Sequence, residues 1–158
     1  MRKKIRNPYE KKGYNCFACS PDNPIGLKMT FEESEDFLHA EWTPDLNFAG
    51  YNNVLHGGII TTLLDEIGAW FVNIKLGTSG VTSEIKVNFI KPVHLSSGNI
   101  SLDAVLLEST EQDAKLKCRL FNGAGKLCAE AIPVFFIFPE TIARRRFMYP
   151  GKEAFYFD

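Results

Sequence analysis

Residues 56–75 read HGGIITTLLDEIGAWFVNIK, and this stretch decides the fold. Its apolar side chains recur with the period of a helix and share one wide stripe. The stripe consists of Ile60, Leu63, Leu64, Ile67, Phe71 and Ile74. The other face carries small or polar residues, namely Gly58, Thr61, Thr62, Asp65, Gly68 and Ala69. Because Lys75 and Gly77 are typical stop signals, the pattern predicts a helix over Gly57–Lys75 with a second face that another group can approach closely.

Alternating apolar and polar residues around this helix predict β-strands. Six segments show the pattern: Leu27–Phe31, Phe37–Trp42, Val81–Val93, Ile100–Glu108, Lys115–Phe121 and Leu127–Phe138. Short polar turns between them favour antiparallel pairing. One long helix with about five to six such strands indicates an α+β fold, in which a curved sheet wraps around a central helix.

The length and charge of the chain narrow the class of protein. A chain of 158 residues fits one domain, and 18 Lys and Arg against 19 Asp and Glu disfavour a nucleic-acid coat protein. No apolar run reaches the ~18 residues of a membrane span, and no secretory pattern follows the basic start, so a cytoplasmic protein is expected. We expect a basic leader (1–13), one domain (14–139) and an aromatic, basic tail (140–158) that packs on the domain or on a neighbouring chain.

Four cysteines raise the question of a metal site. Cys16 and Cys19 form half of a zinc ribbon, but no second CxxC follows, and Cys118 and Cys128 stand ten residues apart in strand-like sequence. A closed metal site within one chain is therefore not expected. Two alternatives stay open, a zinc site shared between two chains and a structural pair of thiols in a turn.

The start of the helix can hold negative charge. Backbone N–H groups in the first turn have no partner within the helix, and the glycines that follow His56 leave those groups uncovered. Such N–H groups can bind the oxyanion that forms when a carbonyl is attacked. A tight turn is the alternative interpretation of His56-Gly57-Gly58.

Asp65 is a candidate general base on the face of small residues. Its pKa should rise in a partly desolvated cleft, which suits a group that activates water. Eight residues of helix separate it from Gly57 by about 12 Å, too far for both to reach one carbonyl group. Two helices packed antiparallel would place Gly57 of one chain opposite Asp65 of the other, so the hypothesis requires a dimer.

Two motifs resemble those of a known family. Residues 56–66 (HGGIITTLLDE) and 81–93 (VTSEIKVNFIKPV) are similar to the hotdog-fold acyl-CoA thioesterases of the phenylacetate-degradation type. Residues 16–19 (CFAC) and 23–27 (NPIGL) resemble the start of a bacterial subgroup of that family. The resemblance covers residues 14–139. It implies a hotdog fold and a homodimer with two sites at its interface, often paired into a homotetramer.

The resemblance also implies roles for individual residues. The catalytic carboxylate falls on Asp65, the polarising amide on Gly57, the positioning histidine on His56, and a threonine that assists the water on Thr82. No cofactor or metal is implied. The resemblance implies an acyl-CoA substrate, and we expect the candidate residues for binding it to be Gly58, Asn52, Asn53, Lys86, Lys91, Arg144 and Arg145, with Arg146 completing the basic run. The basic residues would meet the CoA phosphates; a merely solvated role is the alternative.

One position departs from the family pattern. Family members often carry Asn or Gln six residues before the histidine, where this chain has Gly50. Asn52 or Asn53 could replace that polar group, although a loop asparagine is often structural. Besides a thioester hydrolase, two further hypotheses therefore stay open: a non-catalytic module that binds acyl-CoA or acyl-aromatic compounds, and an interaction protein bridged by zinc at Cys16 and Cys19.

Overall fold

A computed structural model describes residues 1–9 and 13–158 of the chain. The long helix α1 spans Gly57–Phe71 and continues as a wider π-helical turn over Val72–Leu76. It ends at Gly77, whose φ of 67° is left-handed, as the stop signals predict. The strands are β1 Lys3–Ile5, β2 Phe31–Glu33, β3 Leu38–Trp42, β4 Gly80–Phe89, β5 Ile100–Ser109, β6 Asp113–Phe121 and β7 Leu127–Ile137, and a short helix α2 spans Glu140–Arg146.

The strands form one antiparallel sheet in the order β1-β2-β3-β5-β6-β7-β4. Helix α1 contacts β3, β4, β5, β6 and β7. Five adjacent strands span about 19 Å at ~4.8 Å per step, almost twice the diameter of a helix, so the sheet must curve to reach α1 with all of them. The predicted α+β architecture is confirmed, with seven strands in place of five to six.

The interface between α1 and the sheet is the core. Every residue of the predicted apolar stripe is buried. Gly68 lies in this interface and not on the open face, because a Cβ atom there would approach the Phe135 ring to 2.9 Å. The helix backbone thus touches β7 directly.

Residues 27–31 do not form the predicted strand throughout. Pairing with β3 begins only at Glu32, since the N–H groups of Leu27 and Met29 donate to the carbonyls of Phe17 and Ala18. The first half of the segment therefore packs on the turn formed by residues 16–20, named the cysteine turn below.

Both ends of the chain pack on the domain. In the leader, β1 pairs with β2 and buries Ile5. Glu10, Lys11 and Lys12 lie outside the described residues. In the tail, Tyr149 and Phe155 are buried, and the Tyr149 hydroxyl donates to the Asn73 carbonyl at 3.0 Å. No helix in the described part of the chain has the length and hydrophobicity to cross a membrane.

A β-bulge divides β4 into two parts. Thr82 pairs with Phe135, and Glu84 pairs with Val134, the very next residue of β7, so Ser83 is an extra residue. Because side chains alternate along a strand, the extra residue reverses the facing of the later side chains of β4. Thr82 faces α1, like buried Phe135, whereas Glu84 and Lys86 face outward.

Candidate active site

His56 caps the helix and fixes its first turn. Its Nδ1 atom accepts a hydrogen bond from the Gly58 N–H at 2.8 Å, so the neutral ring carries its proton on Nε2. A Cβ atom on Gly58 would lie 3.0 Å from that Nδ1, which is why a glycine suits this position. The sequence prediction that His56, Gly57 and Gly58 open the helix is confirmed.

Gly57 is the first helical residue, and its N–H points out of the helix end without an intrahelical partner. A cleft of about 260 Å³ opens beside it, lined by residues that include Ile60, Phe89 and Lys91. On the other side of the cap, His56 and Gly58 line a second cleft with Phe48 and Thr62. The donor is therefore accessible from solvent at the helix start.

Asp65 lies two turns further along α1 and is half-buried. The Thr82 hydroxyl donates to its carboxylate at 2.6 Å, and the pairing of Thr82 with the buried Phe135 places that hydroxyl on the α1 side of the sheet. Burial raises the pKa of Asp65 above its ordinary value, and the hydrogen bond from Thr82 offsets part of the rise. Asp65 is thus a carboxylate of increased basicity that accepts a hydrogen bond from the Thr82 hydroxyl.

The two halves of the site do not meet within one chain. Gly57 and Asp65 belong to the same regular helix, so their separation of about 12 Å along its axis holds in the structure. His56 lies with Gly57, and Thr82 lies with Asp65. One chain therefore holds an oxyanion donor at one place and a base at another.

The two loop asparagines have different surroundings. Asn53 holds the loop together, because its amide donates to Ser96 Oγ at 3.0 Å and its side-chain oxygen accepts from the Ser96 N–H. Asn52 is exposed in the same turn. A Cβ atom on Gly50 would lie 3.3 Å from the Cα of His56, so a larger residue there would press on the helix cap.

The predicted basic residues are dispersed. Lys91 lines the cleft beside Gly57, whereas Lys86 lies on the outer face of the sheet with Lys115. Arg144 binds Glu140 and the Pro150 carbonyl, and Arg145 is exposed on the same short helix. The residues that follow that helix join it to the carboxyl end of α1, where Tyr149 bonds the Asn73 carbonyl. Of these four predicted residues, Lys91 alone lies at the helix start.

Comparisons with known proteins agree on one fold. A family model described as the thioesterase superfamily matches residues 52–129. A thioesterase of Haemophilus influenzae superposes with a TM-score of 0.64 at 22% identity, over 71% of this chain and 79% of that one. The PaaI protein of the E. coli phenylacetic acid degradation operon gives 0.65 at 19% identity, over 72% and 82%. A Streptococcus mutans protein solved with acetyl CoA gives 0.67 at 19%, over 83% and 98%.

This chain has the hotdog fold. Two candidate esterases of Saccharolobus solfataricus are 27% and 29% identical to it, over 56% and 57% of this chain. The matched stretches span 58% and 64% of those two proteins, less than two thirds of their length.

On this hotdog scaffold the cysteine turn meets α1 at Glu66, a residue that the sequence reasoning did not select. The Cys16 thiol lies 3.5 Å from Glu66 Oε1, and the Trp70 indole donates to the same oxygen at 3.1 Å. Burial raises the pKa of Glu66 to about 7. The available signal was a second carboxylate in a helix that is largely buried, because such a group needs polar partners.

Proposed function

We propose that this hotdog chain is an acyl-CoA thioesterase of the phenylacetate-degradation type that works as a homodimer and hydrolyses a thioester to a carboxylic acid and free CoA. The observation that carries the proposal is the half-buried Asp65 carboxylate on the small-residue face of α1, held by Thr82 and two turns from the capped helix start. The match to the thioesterase superfamily and the likeness to a protein solved with acetyl CoA support it.

The proposed chemistry uses groups from two chains. Asp65 of one chain accepts a proton from a water molecule, whose oxygen attacks the thioester carbonyl carbon. The Gly57 N–H of the other chain stabilises the oxyanion, and the His56 ring holds that first turn in place. When the tetrahedral intermediate collapses, the carbon–sulfur bond breaks and the proton on Asp65 passes to the departing CoA sulfur. Thr82 orients the carboxylate throughout.

The free edge of the sheet supports the dimer. Strand β4 has ten residues and stands at the end of the sheet, where β7 is its one partner among the described residues. An unpaired edge of this length is a template for a second strand. Apolar residues on and beside it are unusually exposed: Val81 by 42%, Phe89 by 57% and Ile90 by 49%. A second copy that covers this edge would bury these side chains and bring another α1 close to the first.

We assign the binding of the CoA phosphates to basic residues that lie at the start of α1. Lys91 stands beside Gly57, at the end of the site where the helix start already favours negative charge. Arg144 and Arg145 reach this end only if they come from another chain, because the residues that follow their own helix join it to the far end of α1. Gly58 lines the second cleft, on the other side of the helix cap, and Asn52 is exposed in the loop that precedes the cap.

A panel of short, long and aromatic acyl-CoAs tests the proposal. We expect the purified protein to release free thiol from at least one member, detected with a thiol reagent. The second candidate is a non-catalytic module that binds acyl-CoA, favoured by Gly50, which leaves the site without the polar side chain common in the family. Saturable binding without thiol release would support that module and contradict the hydrolase.

Thr82→Val should change the pH dependence of hydrolysis. The substitution removes a hydrogen bond to the charged carboxylate, so the pKa of Asp65 rises further. Because the base works only when it is deprotonated, the acid limb of kcat/KM moves to higher pH. A pH–rate profile measures the shift.

Thr43→Val is the matched control for this profile, because it also removes one threonine hydroxyl, which donates to Asn99 Oδ1 at 2.8 Å and not to Asp65. Its acid limb should coincide with that of the wild type. An acid limb that does not move in Thr82→Val would mean that Asp65 is not the titrating base.

A further inference from the structure

The cysteine turn and α1 together form a second cluster of reactive groups. We propose that Cys16, Cys19 and Glu66 bind one divalent cation of the Zn²⁺ class within a single chain. Cys16 and Cys19 each offer a sulfur, and Glu66 offers a carboxylate oxygen, and these three atoms lie within 4.8 Å of one another. The proposal does not depend on the thioesterase chemistry.

The distances in the cluster fit a tetrahedral site. With metal bonds of about 2.3 Å to sulfur and about 2.1 Å to oxygen, a tetrahedral zinc holds a sulfur and an oxygen about 3.6 Å apart. The observed separation between Cys16 Sγ and Glu66 Oε1 is 3.5 Å. A sulfur and an oxygen from elements fifty residues apart therefore already stand at the spacing of two ligands.

Hydrogen bonds and close packing fix the positions of the two sulfurs in the cysteine turn. The Cys19 N–H points at Cys16 Sγ at 3.4 Å, and the Ser20 N–H closes the turn on the Cys16 carbonyl at 3.1 Å. The buried Asn23 side chain donates to the Asn15 carbonyl. A Cβ atom on Gly26 would lie 2.7 Å from the Phe17 carbonyl oxygen, so the following loop packs directly against the turn. The ligand pair is thus held from both sides.

Charge favours a cation in this place. No Lys or Arg forms an ion pair with Glu66 in the part of the chain that the structure describes. Its carboxylate meets the Trp70 indole and the thiols of Cys16 and Cys19. A partly buried carboxylate with no cationic partner is costly. A divalent cation would compensate the carboxylate and deprotonate both thiols, as zinc does with cysteine ligands.

The fourth position faces a cleft of about 360 Å³, which Cys16 and Glu66 line with Tyr9, Tyr14 and Asn73. The Tyr14 hydroxyl lies 2.9 Å from Cys19 Sγ, so polar groups surround the opening. We assign this position to water. The bound cation would then join the amino-terminal turn to α1 at the residue that follows Asp65.

Zinc stoichiometry in reduced, full-length protein tests the site. After incubation with Zn²⁺ and removal of unbound metal, elemental analysis should find one zinc per chain. Cys16→Ser and Cys19→Ser should lose it. Glu66→Gln, which keeps the side-chain volume, should weaken Zn²⁺ binding by at least about 10-fold. Loss of a residue that only supports a metal ligand already costs roughly 10- to 100-fold in affinity, and loss of a ligand should cost no less. Cys128→Ser removes a thiol on β7 and should retain the zinc.

Substitution with Co²⁺ gives a readout independent of stoichiometry. The wild type should show thiolate-to-cobalt charge-transfer absorption, Cys16→Ser and Cys19→Ser should lose it, and Cys128→Ser should keep it. A wild-type protein that retains no zinc would overturn the proposal, whether Cys16 and Cys19 are then free thiols or form a disulfide. Wild-type affinity in Glu66→Gln would overturn it as well, because the third ligand would then be absent. Circular dichroism of each variant separates lost metal from a lost fold.

Discussion

Asp65→Asn is expected to abolish thiol release and, at the same time, to raise the melting temperature of the protein. The substitution keeps the shape of the side chain and its acceptor for Thr82, but it removes the base. Loss of a general base costs roughly 10²- to 10⁴-fold in rate. Steady-state thiol release and thermal unfolding of the same preparations measure the two effects.

The stabilising effect follows from the pKa of Asp65. Burial raises the folded-state pKa above the unfolded value, so the fold favours the neutral carboxyl and is less stable when Asp65 is charged. Asparagine removes that cost. The gain in stability should be full at pH values above the folded-state pKa and should vanish as pH falls below the unfolded value of about 3.9.

Glu84→Gln is the matched control for this experiment. Glu84 lies on the same sheet edge but faces outward after the bulge, so its substitution should leave both thiol release and melting temperature near the wild type. An Asp65→Asn variant that hydrolyses at the wild-type rate would assign the base to another residue. A melting temperature that falls at neutral pH would mean that the charged carboxylate stabilises the fold.

Gly57→Pro is expected to remove the oxyanion donor without disturbing the helix. Proline has no N–H, yet it is well accepted at the first position of a helix. The residue before a proline must be extended, and His56 already is, with φ −60° and ψ 132°. Loss of one such donor lowers kcat by roughly 10²- to 10³-fold.

Gly57→Ala separates the donor from the side chain, because alanine keeps the N–H. Its Cβ would meet the Phe89 ring at 3.5 Å, an ordinary contact, so this variant should stay active. Equal activity of the proline and alanine variants would show that the Gly57 N–H takes no part in the reaction.

Mixing the two inactive variants tests whether a site spans two chains. A heterodimer of Asp65→Asn and Gly57→Pro has one site with both defects and one intact site. With random exchange of subunits, half of the dimers are mixed, and activity should return to about a quarter of the wild-type value. Recovery that stays at the level of the separate variants would place donor and base in the same chain.

The local pattern of apolar and polar residues was sufficient to predict the helix and most of the strands. The apolar stripe of α1 and the alternation in β5, β6 and β7 are repeated many times along the chain, so each repeat supports the same assignment. The cap at His56 was visible for the same reason, because it involves neighbouring residues only. The distance from Gly57 to Asp65 followed from the helix alone.

The remaining features depend on contacts between distant parts of the chain. Strand β1 has three residues, too few to show a period, and it exists because Ile5 pairs with Phe31. Glu66 meets the cysteine turn across fifty positions, which no local pattern reports. Lys86 follows Thr82 by four residues, so a regular strand would place both side chains on one face. The extra residue Ser83 places them on opposite faces instead.

That extra residue lets one strand serve two surfaces that can change separately. Before Ser83, β4 delivers a hydroxyl to the carboxylate of α1; beyond it, the polar side chains at positions 84, 86 and 88 face away from the helix. Substitutions that change the charge at positions 84, 86 and 88 can therefore alter what the outer surface binds, and they leave the hydrogen bond between Thr82 and Asp65 unchanged.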